Sequence, residues 1–257
     1  MIYKANDDVR KSLVPMFENI DSTIVQSYLQ GHMGTAYVDD LKNPTVAQVV
    51  VGIFVFYAGN PDTEAAEEML NNLPDYNLVI VGSDDWKRRI ESARRNGVEK
   101  FPRYSLEKNP AHLDRNHIQS ILATLPDGYE VKKVDKEIAD KASFDELSED
   151  FVSQFESVDD FLERGKGYAV LFEGKVVSAA TSFSIFDEGI EIEIATDPDY
   201  RRKGLAAVTA SALILDCLDN GLYPSWDAAN AESLQLAEKL GYVFKETYDT
   251  YFIDTGK

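Results

Sequence analysis

A basic cluster beside a glycine is the feature of this sequence with the clearest chemical use. Arg201, Arg202 and Lys203 are three consecutive cations, and Gly204 follows them in a chain whose formal net charge is −19. They lie between a predicted strand and a predicted helix, whose first backbone N–H groups have no helical partner and lie at its positive end. A helix start of this kind binds phosphate, and glycine allows a positive φ and a close backbone approach. The segment therefore predicts an anion-binding loop.

Carboxylates occur just before this loop. Glu191 and Glu193 alternate with isoleucines in the segment 189–196, a period of two that predicts a strand with both glutamates on one face. A carboxylate beside a cleft can act as a general base. The same pattern also fits two glutamates that face solvent on a half-exposed strand, so both interpretations stay open. Asp227, at the end of the next predicted strand, is a second-rank candidate for the base.

The second half of the chain predicts a mixed sheet with helices on its faces. Strands are expected over 128–134, 167–172, 176–185, 189–196 and 222–227, with one or two more over 242–253. Helices are expected over 204–218 and 230–240, with two short ones within 136–163. Helices between strands indicate an α/β (α+β) fold.

The first half predicts a similar order of elements. Its expected helices cover 8–18, 22–29, 63–71 and 84–95, and its expected strands cover 35–38, 46–57, 78–81 and 97–104. In both halves a strand leads into a Pro-Asp turn, and then a helix, a strand, a helix, a glycine and a strand follow. We interpret this as two related folds in tandem, in domains 1–110 and 127–257. The segment 111–126 would connect them and contain a helix over 117–125.

The loop has a recognisable form. Arg201-Arg202-Lys203-Gly204-Leu205-Ala206 resembles the Gln/Arg-x-x-Gly-x-Gly/Ala loop of the GNAT acetyltransferase superfamily. The segment 192–196 looks like the fourth strand of that family, and 230–242 looks like its Asn-helix-Leu-Gly-aromatic segment. The resemblance covers 127–257. It implies a mostly antiparallel GNAT-type sheet, with a degenerate GNAT-like copy in the first half.

The resemblance implies acetyl-CoA as cosubstrate and assigns residues to it. The backbone of the fourth strand would pair with the pantetheine arm, and the loop and helix start would hold the pyrophosphate. Asn230 would contact the pantetheine region with help from Ser233, although asparagine is also a good helix N-cap. The cofactor-binding set is Ile194, Ala195, Thr196, Arg201, Arg202, Lys203, Gly204, Leu205, Ala206, Asn230 and Ser233.

The first half lacks these features. After its Pro-Asp turn it has Glu64, Glu67 and Glu68, with no arginine, lysine or glycine in 63–68. An acidic helix start repels phosphate. We therefore expect the first half to bind no coenzyme and to be a structural or acceptor-shaping domain.

The implied reaction is acetyl transfer from a thioester to an amine. The amine attacks in its neutral form, so a general base must remove its proton. The candidate bases are Glu191, Glu193 and Asp227. Many family members have a tyrosine in a Leu-Tyr-x-x-Leu-Gly pattern as the acid for the departing thiolate, and Ala237 stands there in this chain. An active N-acetyltransferase, a non-catalytic acetyl-CoA or CoA-binding regulatory module, and a scaffold binding another phosphate are therefore all retained as hypotheses.

The composition limits the classes of molecule that this chain is expected to bind. A net charge of −19 should repel nucleic acid and anionic membranes and attract a small cationic amine, although acidity also simply gives solubility. No apolar run approaches the roughly 20 residues that span a bilayer, and the first residues lack a signal core, so a cytoplasmic location is expected. A homodimer is left open.

Cysteine and histidine indicate no metal site. Cys217 is the one cysteine, in an apolar run, so we expect a buried thiol rather than a nucleophile or a disulfide. His32, His112 and His117 are scattered, without carboxylates or cysteines at metal-ligand spacing. We expect no metal.

Overall fold

The structure is a computed structural model that describes residues 1–93 and 97–255. It divides into two compact units, Met1–Pro102 with Tyr248–Lys257, and Arg103–Thr247. These bounds differ from the expected 1–110, 111–126 and 127–257, because the last residues of the chain belong to the first unit. The division into tandem copies stays a prediction. The expected end of a helix at Arg95 lies outside the described residues.

The first unit contains one mixed sheet with helices. Its strand order is β1-β2-β3-β4-β5-β13-β6, in which β4 and β5 are parallel. The elements are β1 Tyr3–Lys4, α1 Asp7–Leu13, a 3-10 turn Val14–Phe17, α2 Thr23–Leu29, β2 Thr35–Val38, β3 Val46–Val51, β4 Phe54–Gly59, α3 Glu64–Asn71, β5 Leu78–Val81, α4 Asp84–Ala93 and β6 Val98–Leu106. The C-terminal strand β13 is Phe244–Ile253.

The expected single strand over 46–57 is wrong. The chain reverses in the middle of it, and β3 pairs antiparallel with β4 in a register that sets Val51 opposite Phe54. Gly52 has φ +58 and lies in the turn. A two-residue hairpin needs this left-handed backbone, which glycine adopts without steric cost. The apolar run continues on both sides of the reversal, so hydrophobicity alone did not show it.

The second unit contains a five-stranded sheet of order β11-β10-β9-β8-β7, and also β12 paired with residues Tyr104 and Ser105 of β6. The elements are a 3-10 turn Pro110–His112, α5 Arg115–Leu122, β7 Tyr129–Lys133, α6 Lys136–Ala139, α7 Ala142–Asp145, a 3-10 turn Glu149–Phe151, α8 Val158–Arg164, β8 Gly167–Phe172, β9 Lys175–Phe186, β10 Gly189–Thr196, a 3-10 turn Pro198–Tyr200, α9 Leu205–Asp219, β11 Tyr223–Ser225, β12 Asp227–Ala228 and α10 Ala231–Lys239.

Most expected elements of this unit are confirmed, and three differ. The segment 136–163 forms three short helices and a 3-10 turn instead of two helices, because polar caps interrupt it. The expected strand 222–227 is split, since its first part pairs with β10 and its last part with β6. The connecting helix expected over 117–125 is Arg115–Leu122, which begins earlier because Asp114 caps it.

Helix α9 forms the centre of the second unit's core. Its residues are buried on almost every side, and Leu205 and Val208 pack with Val170 and Val177 of the sheet. Cys217 is fully buried in this helix, and burial raises the pKa of its thiol to about 12. The prediction of a buried structural thiol is confirmed. Because α9 is fixed by this core, the loop at its first turn has a fixed support.

Candidate functional site

The loop before α9 has an unusual backbone. Arg202 has φ +60 and Gly204 has φ +79, so two left-handed residues are separated by Lys203 alone. Gly204 is the N-cap of α9 and makes no side-chain cap, which leaves the first N–H groups of the helix without one. A left-handed arginine costs about 1 kcal/mol, and such strain concentrates at functional sites. Left-handed residues also turn successive N–H groups towards one point and create anion-binding concavities.

Cations and an aromatic ring surround this loop. Arg201 Nε donates to the carbonyl of Thr196 at 3.3 Å, which ties the loop to the end of β10. Lys203 Nζ lies 5.3 Å from the ring centroid of Tyr200, and Lys175 Nζ lies 5.6 Å from the same centroid. Lys175 also pairs with Asp197 at 2.7 Å. The loop is therefore positively charged and anchored within an acidic chain.

A cavity of about 330 Å³ opens at the loop. It joins the end of β10, the loop, the first turn of α9 and one side of α10. The lining residues are Thr196, Tyr200, Arg201, Arg202, Gly204, Leu205, Ala206, Ala207, Glu232, Leu236 and Lys239. The sequence reasoning missed Tyr200, Ala207 and the last three. The helical spacing of 232, 236 and 239 would have placed them on one face of the predicted helix.

Strand β10 has an open side where it approaches the cavity. It pairs with β9 over its whole length but with β11 only over Gly189–Glu191. Among the described residues no strand pairs with Ile194, Ala195 or Thr196 on the β11 side. Their backbone N–H and C=O groups on that side can bind an extended ligand as a strand would. In the first unit the parallel strands β4 and β5 pair over four consecutive residues, Phe54–Tyr57.

The first unit also differs at the start of its helix. The Thr63 hydroxyl caps α3 by accepting from the Ala66 N–H at 3.1 Å, and Glu64 and Glu67 lie in its first turn. Trp86 donates from Nε1 to the carbonyl of Gly59 at 2.9 Å, at the end of β4. Its ring stacks on Tyr57 at a centroid distance of 4.7 Å. The start of α3 is thus acidic and capped, and the carbonyl at the end of β4 is already hydrogen-bonded.

The two glutamates of β10 have different surroundings. Glu191 is 4% exposed and lies opposite Ser225 of β11, in the closed part of the sheet. Glu193 lies beyond that pairing, in the open part, and accepts a hydrogen bond from Ser148 Oγ at 3.3 Å on Oε1. Glu191 therefore does not face solvent, whereas Glu193 is half-buried.

Glu193 has a strongly altered acidity. Burial first, and then the nearby carboxylate of Asp150, raise the pKa of Glu193 to about 7, against smaller lowering effects of Ser148 and Arg103. A carboxyl group with a pKa near the working pH is suited to proton transfer.

Asp227 is held in an ion pair. Arg103 Nε donates to its Oδ1 at 2.8 Å, and Arg103 Nη2 donates to its backbone carbonyl at 3.2 Å. The Arg103 side chain is 8% exposed and that of Asp227 is 23% exposed, so this pair is partly shielded from water. The guanidinium therefore occupies both the Oδ1 atom and the backbone carbonyl of Asp227.

The start of α10 is fixed by its own residues. Asn230 Oδ1 accepts from the Ser233 N–H at 2.8 Å, so the expected N-cap is confirmed. Ser233 Oγ accepts from Trp226 Nε1 at 3.0 Å. Neither Asn230 nor Ser233 lines the cavity described above. Ala237 is fully buried, whereas its neighbour Leu236 lines the cavity.

Neither a metal centre nor a membrane-spanning helix is found among the described residues. Their acidic, histidine and cysteine side chains form no group of three or more that could hold a metal ion. None of the helices in residues 1–93 and 97–255 is both long and apolar enough to cross a bilayer.

Comparison with known proteins identifies the family. The model of the GNAT acetyltransferase family matches residues 14–251. The chain therefore belongs to this family and is an N-acetyltransferase. A crystal structure of a GCN5-related N-acetyltransferase-like protein from Streptococcus suis has 35% sequence identity and a TM-score of 0.88, covering 96% of this chain and 98% of that one.

Two curated proteins are also similar. The uncharacterized N-acetyltransferase YdfB of Bacillus subtilis is 28% identical over 255 residues, or 94% of each chain. The [ribosomal protein bS18]-alanine N-acetyltransferase of Escherichia coli is 32% identical over 83 residues, which is 31% of this chain and 56% of that protein. The family match extends through most of the first unit, whereas the tandem relation of the halves stays a prediction.

Proposed function

We propose that the second unit holds one acetyl-CoA molecule and transfers its acetyl group to the primary amine of a small cationic acceptor. The observation that carries this proposal is the open side of β10, which ends at the basic loop and contains Glu193. Family membership implies acetyl-CoA, and the residues present fit it. A concave, basic loop suits the pyrophosphate, and an unpaired strand edge suits the amide-containing pantetheine arm.

The residues that would hold the coenzyme follow from this fit. Backbone N–H groups from Arg202 to Ala206 would bind the pyrophosphate, and Arg201 would add charge. The backbone of Ile194, Ala195 and Thr196 would bind the pantetheine arm. Bound there, acetyl-CoA supplies the activated thioester. We place no second coenzyme in the first unit, because its helix start is acidic and capped and its β4 carbonyl is bonded to Trp86.

Glu193 is the preferred general base. Glu191 lies in the closed part of the sheet, and Asp227 is paired with Arg103. Glu193 lies in the open part with a pKa of about 7, so it is largely ionised at slightly alkaline pH and can take a proton from the attacking amine. Backbone N–H groups of β10 would polarise the thioester carbonyl.

Ala237, which stands where many family members have a tyrosine, supplies no acid for the departing thiolate. Ala237 has no proton to give, and it is buried away from the cavity that Leu236 lines. Protonation of the departing thiolate therefore falls to solvent in this proposal. This is chemically acceptable because a thiolate is a modest base, with an ordinary thiol pKa of about 8.5.

The acceptor class rests on charge. The chain has a net charge of −19, and Asp150 adds a second carboxylate near Glu193. Negative charge at a site attracts a cationic amine and raises its local concentration. The Escherichia coli relative acts on an alanine of a ribosomal protein, but its similarity covers 31% of this chain. A peptide α-amine is therefore the competing acceptor.

The test separates binding from turnover. Calorimetry should show binding of one acetyl-CoA per chain, and free-thiol release should identify acceptors among diamines, polyamines and short peptides. Glu193→Gln should keep the binding and lose the release. Absence of acetyl-CoA binding at about millimolar concentration would contradict the coenzyme site. Release with peptides only would replace the small cationic acceptor by a peptide amine.

A further inference from the structure

The turn that faces Glu193 has a hydroxyl with a defined direction. Ser148 precedes the 3-10 turn Glu149–Phe151, and its Oγ accepts a hydrogen bond from the Asp150 N–H at 3.2 Å. The same Oγ lies 3.3 Å from Glu193 Oε1 and donates to it. A serine hydroxyl has one proton and two lone pairs. Because the capping N–H uses a lone pair, the proton remains available for the carboxylate.

This contact distinguishes the two oxygens of the carboxylate. Oε1 of Glu193 is held by Ser148, and Oε2 has no hydrogen-bond partner among the described residues. A carboxylate with one oxygen fixed keeps its orientation when the other oxygen receives a proton. The serine is 45 residues from the glutamate in sequence, so no local pattern connects them.

The same turn contributes a charge. Asp150 is half-buried, and its Oδ1 accepts from Gln154 Nε2 at 3.2 Å. Burial, and then Glu149, raise the pKa of Asp150 as well. The charged groups that act on Glu193 are Asp150 from the turn, which disfavours ionisation, and Arg103 from β6, which favours it.

We propose that Ser148 is a positioning residue for the general base Glu193, because its hydroxyl fixes one carboxylate oxygen and is itself held by the Asp150 N–H of the same turn. This inference rests on the proposed function, which makes Glu193 the base. It predicts opposite effects for the two residues. Loss of the Ser148 hydrogen bond makes Glu193 harder to ionise, and loss of the Asp150 charge makes it easier.

The experiment is the pH profile of kcat/KM for acetyl transfer, measured with the full chain. For Ser148→Ala we expect the acidic limb to move to higher pH, with about a fivefold loss at about pH 6. For Asp150→Asn we expect the limb to move to lower pH, with relatively more activity at about pH 6. Ser148→Thr keeps the hydroxyl and should restore the original profile. If Ser148→Ala fails to fold, the positions of the acidic limb in Asp150→Asn and Ser148→Thr still test the proposal.

The matched control is Ser157→Ala. Ser157 caps α8 by accepting from the Asp160 N–H at 3.1 Å, so this variant loses a serine cap elsewhere in the same unit. The acidic limb of the pH profile of Ser157→Ala should stay where it is in the wild type. Glu193→Gln separates the two proposals, because a limb that persists in that variant overturns Glu193 as the base. A limb that disappears there but stays in place in both Ser148→Ala and Asp150→Asn overturns only the positioning role.

Discussion

Replacement of Glu193 by glutamine should stabilise the protein and inactivate it. The folded structure raises the pKa of this carboxyl from 4.5 to about 7. At about 1.4 kcal/mol for each pH unit, its ionisation costs the folded state about 3 kcal/mol once complete. The folded state binds more protons than the unfolded state between these two pKa values. The free energy of unfolding of the wild type therefore falls as pH rises through this range, and the effect levels off above about pH 7.

Glutamine keeps the shape and an oxygen that can accept from Ser148, but it has no charge to desolvate. Between about pH 5.5 and about pH 8.5, the variant should therefore gain about 2 kcal/mol of unfolding free energy relative to the wild type. Urea unfolding at the two pH values measures this difference. In the same variant kcat/KM should fall by about 10²- to 10⁴-fold, while acetyl-CoA affinity stays within about twofold.

The control is Glu163→Gln, which removes one charge from an exposed position on α8. It corrects for the change in net charge of an acidic protein. A Glu193→Gln variant whose stability difference from wild type is the same at both pH values would refute the half-buried, proton-holding state of Glu193. Activity within about tenfold of wild type would refute its role as the base.

Three other substitutions test the site. Gly204→Val and Gly174→Val should each lower the free energy of unfolding by about 1–2 kcal/mol, because both glycines have φ near +80. An added Cβ would contact nothing within 4 Å at either position, so the cost is backbone strain alone. Calorimetry should show acetyl-CoA binding weakened by tenfold or more for Gly204→Val but not for Gly174→Val. Asn230→Ala and Asn6→Ala each remove an asparagine N-cap and should cost about 1 kcal/mol in urea unfolding. Only Asn230→Ala should weaken acetyl-CoA binding, because Asn230 caps α10, which lines the cavity. Equal affinities of the two variants would leave Asn230 with a capping role alone. Asp227→Asn breaks the ion pair with Arg103 and should lower the free energy of unfolding by about 3 kcal/mol. The acidic limb of the pH profile of kcat/KM should persist in this variant. Loss of that limb would make Asp227 the base.

Much of the second unit follows from local sequence. The alternation of isoleucine and glutamate predicts β10, and the structure has it over the expected residues Gly189–Thr196. The apolar segment after Gly204 predicts α9, and the positive φ of Gly204 agrees with the expected loop. These elements depend on residues that are close together in the chain, through the period of the apolar side chains, the residues at helix ends and the residues in turns. The hairpin at Gly52 was missed because its two strands are equally apolar.

Only the tertiary structure distinguished the candidate bases. In sequence Glu191 and Glu193 are equivalent positions of one alternating strand, and the limited length of the β11 pairing separates them. Asp227 is paired with Arg103, 124 residues away, and Glu193 contacts Ser148, 45 residues away.

The sequence by itself therefore determined the strand, the basic loop and the helix that together predict a phosphate site, because each depends on backbone preferences within a few residues. The tertiary structure decided which carboxylate lies in the closed part of the sheet, which is paired with an arginine and which side of β10 stays open. Those properties depend on desolvation and on charges brought together from distant parts of the chain, which no short segment of sequence contains.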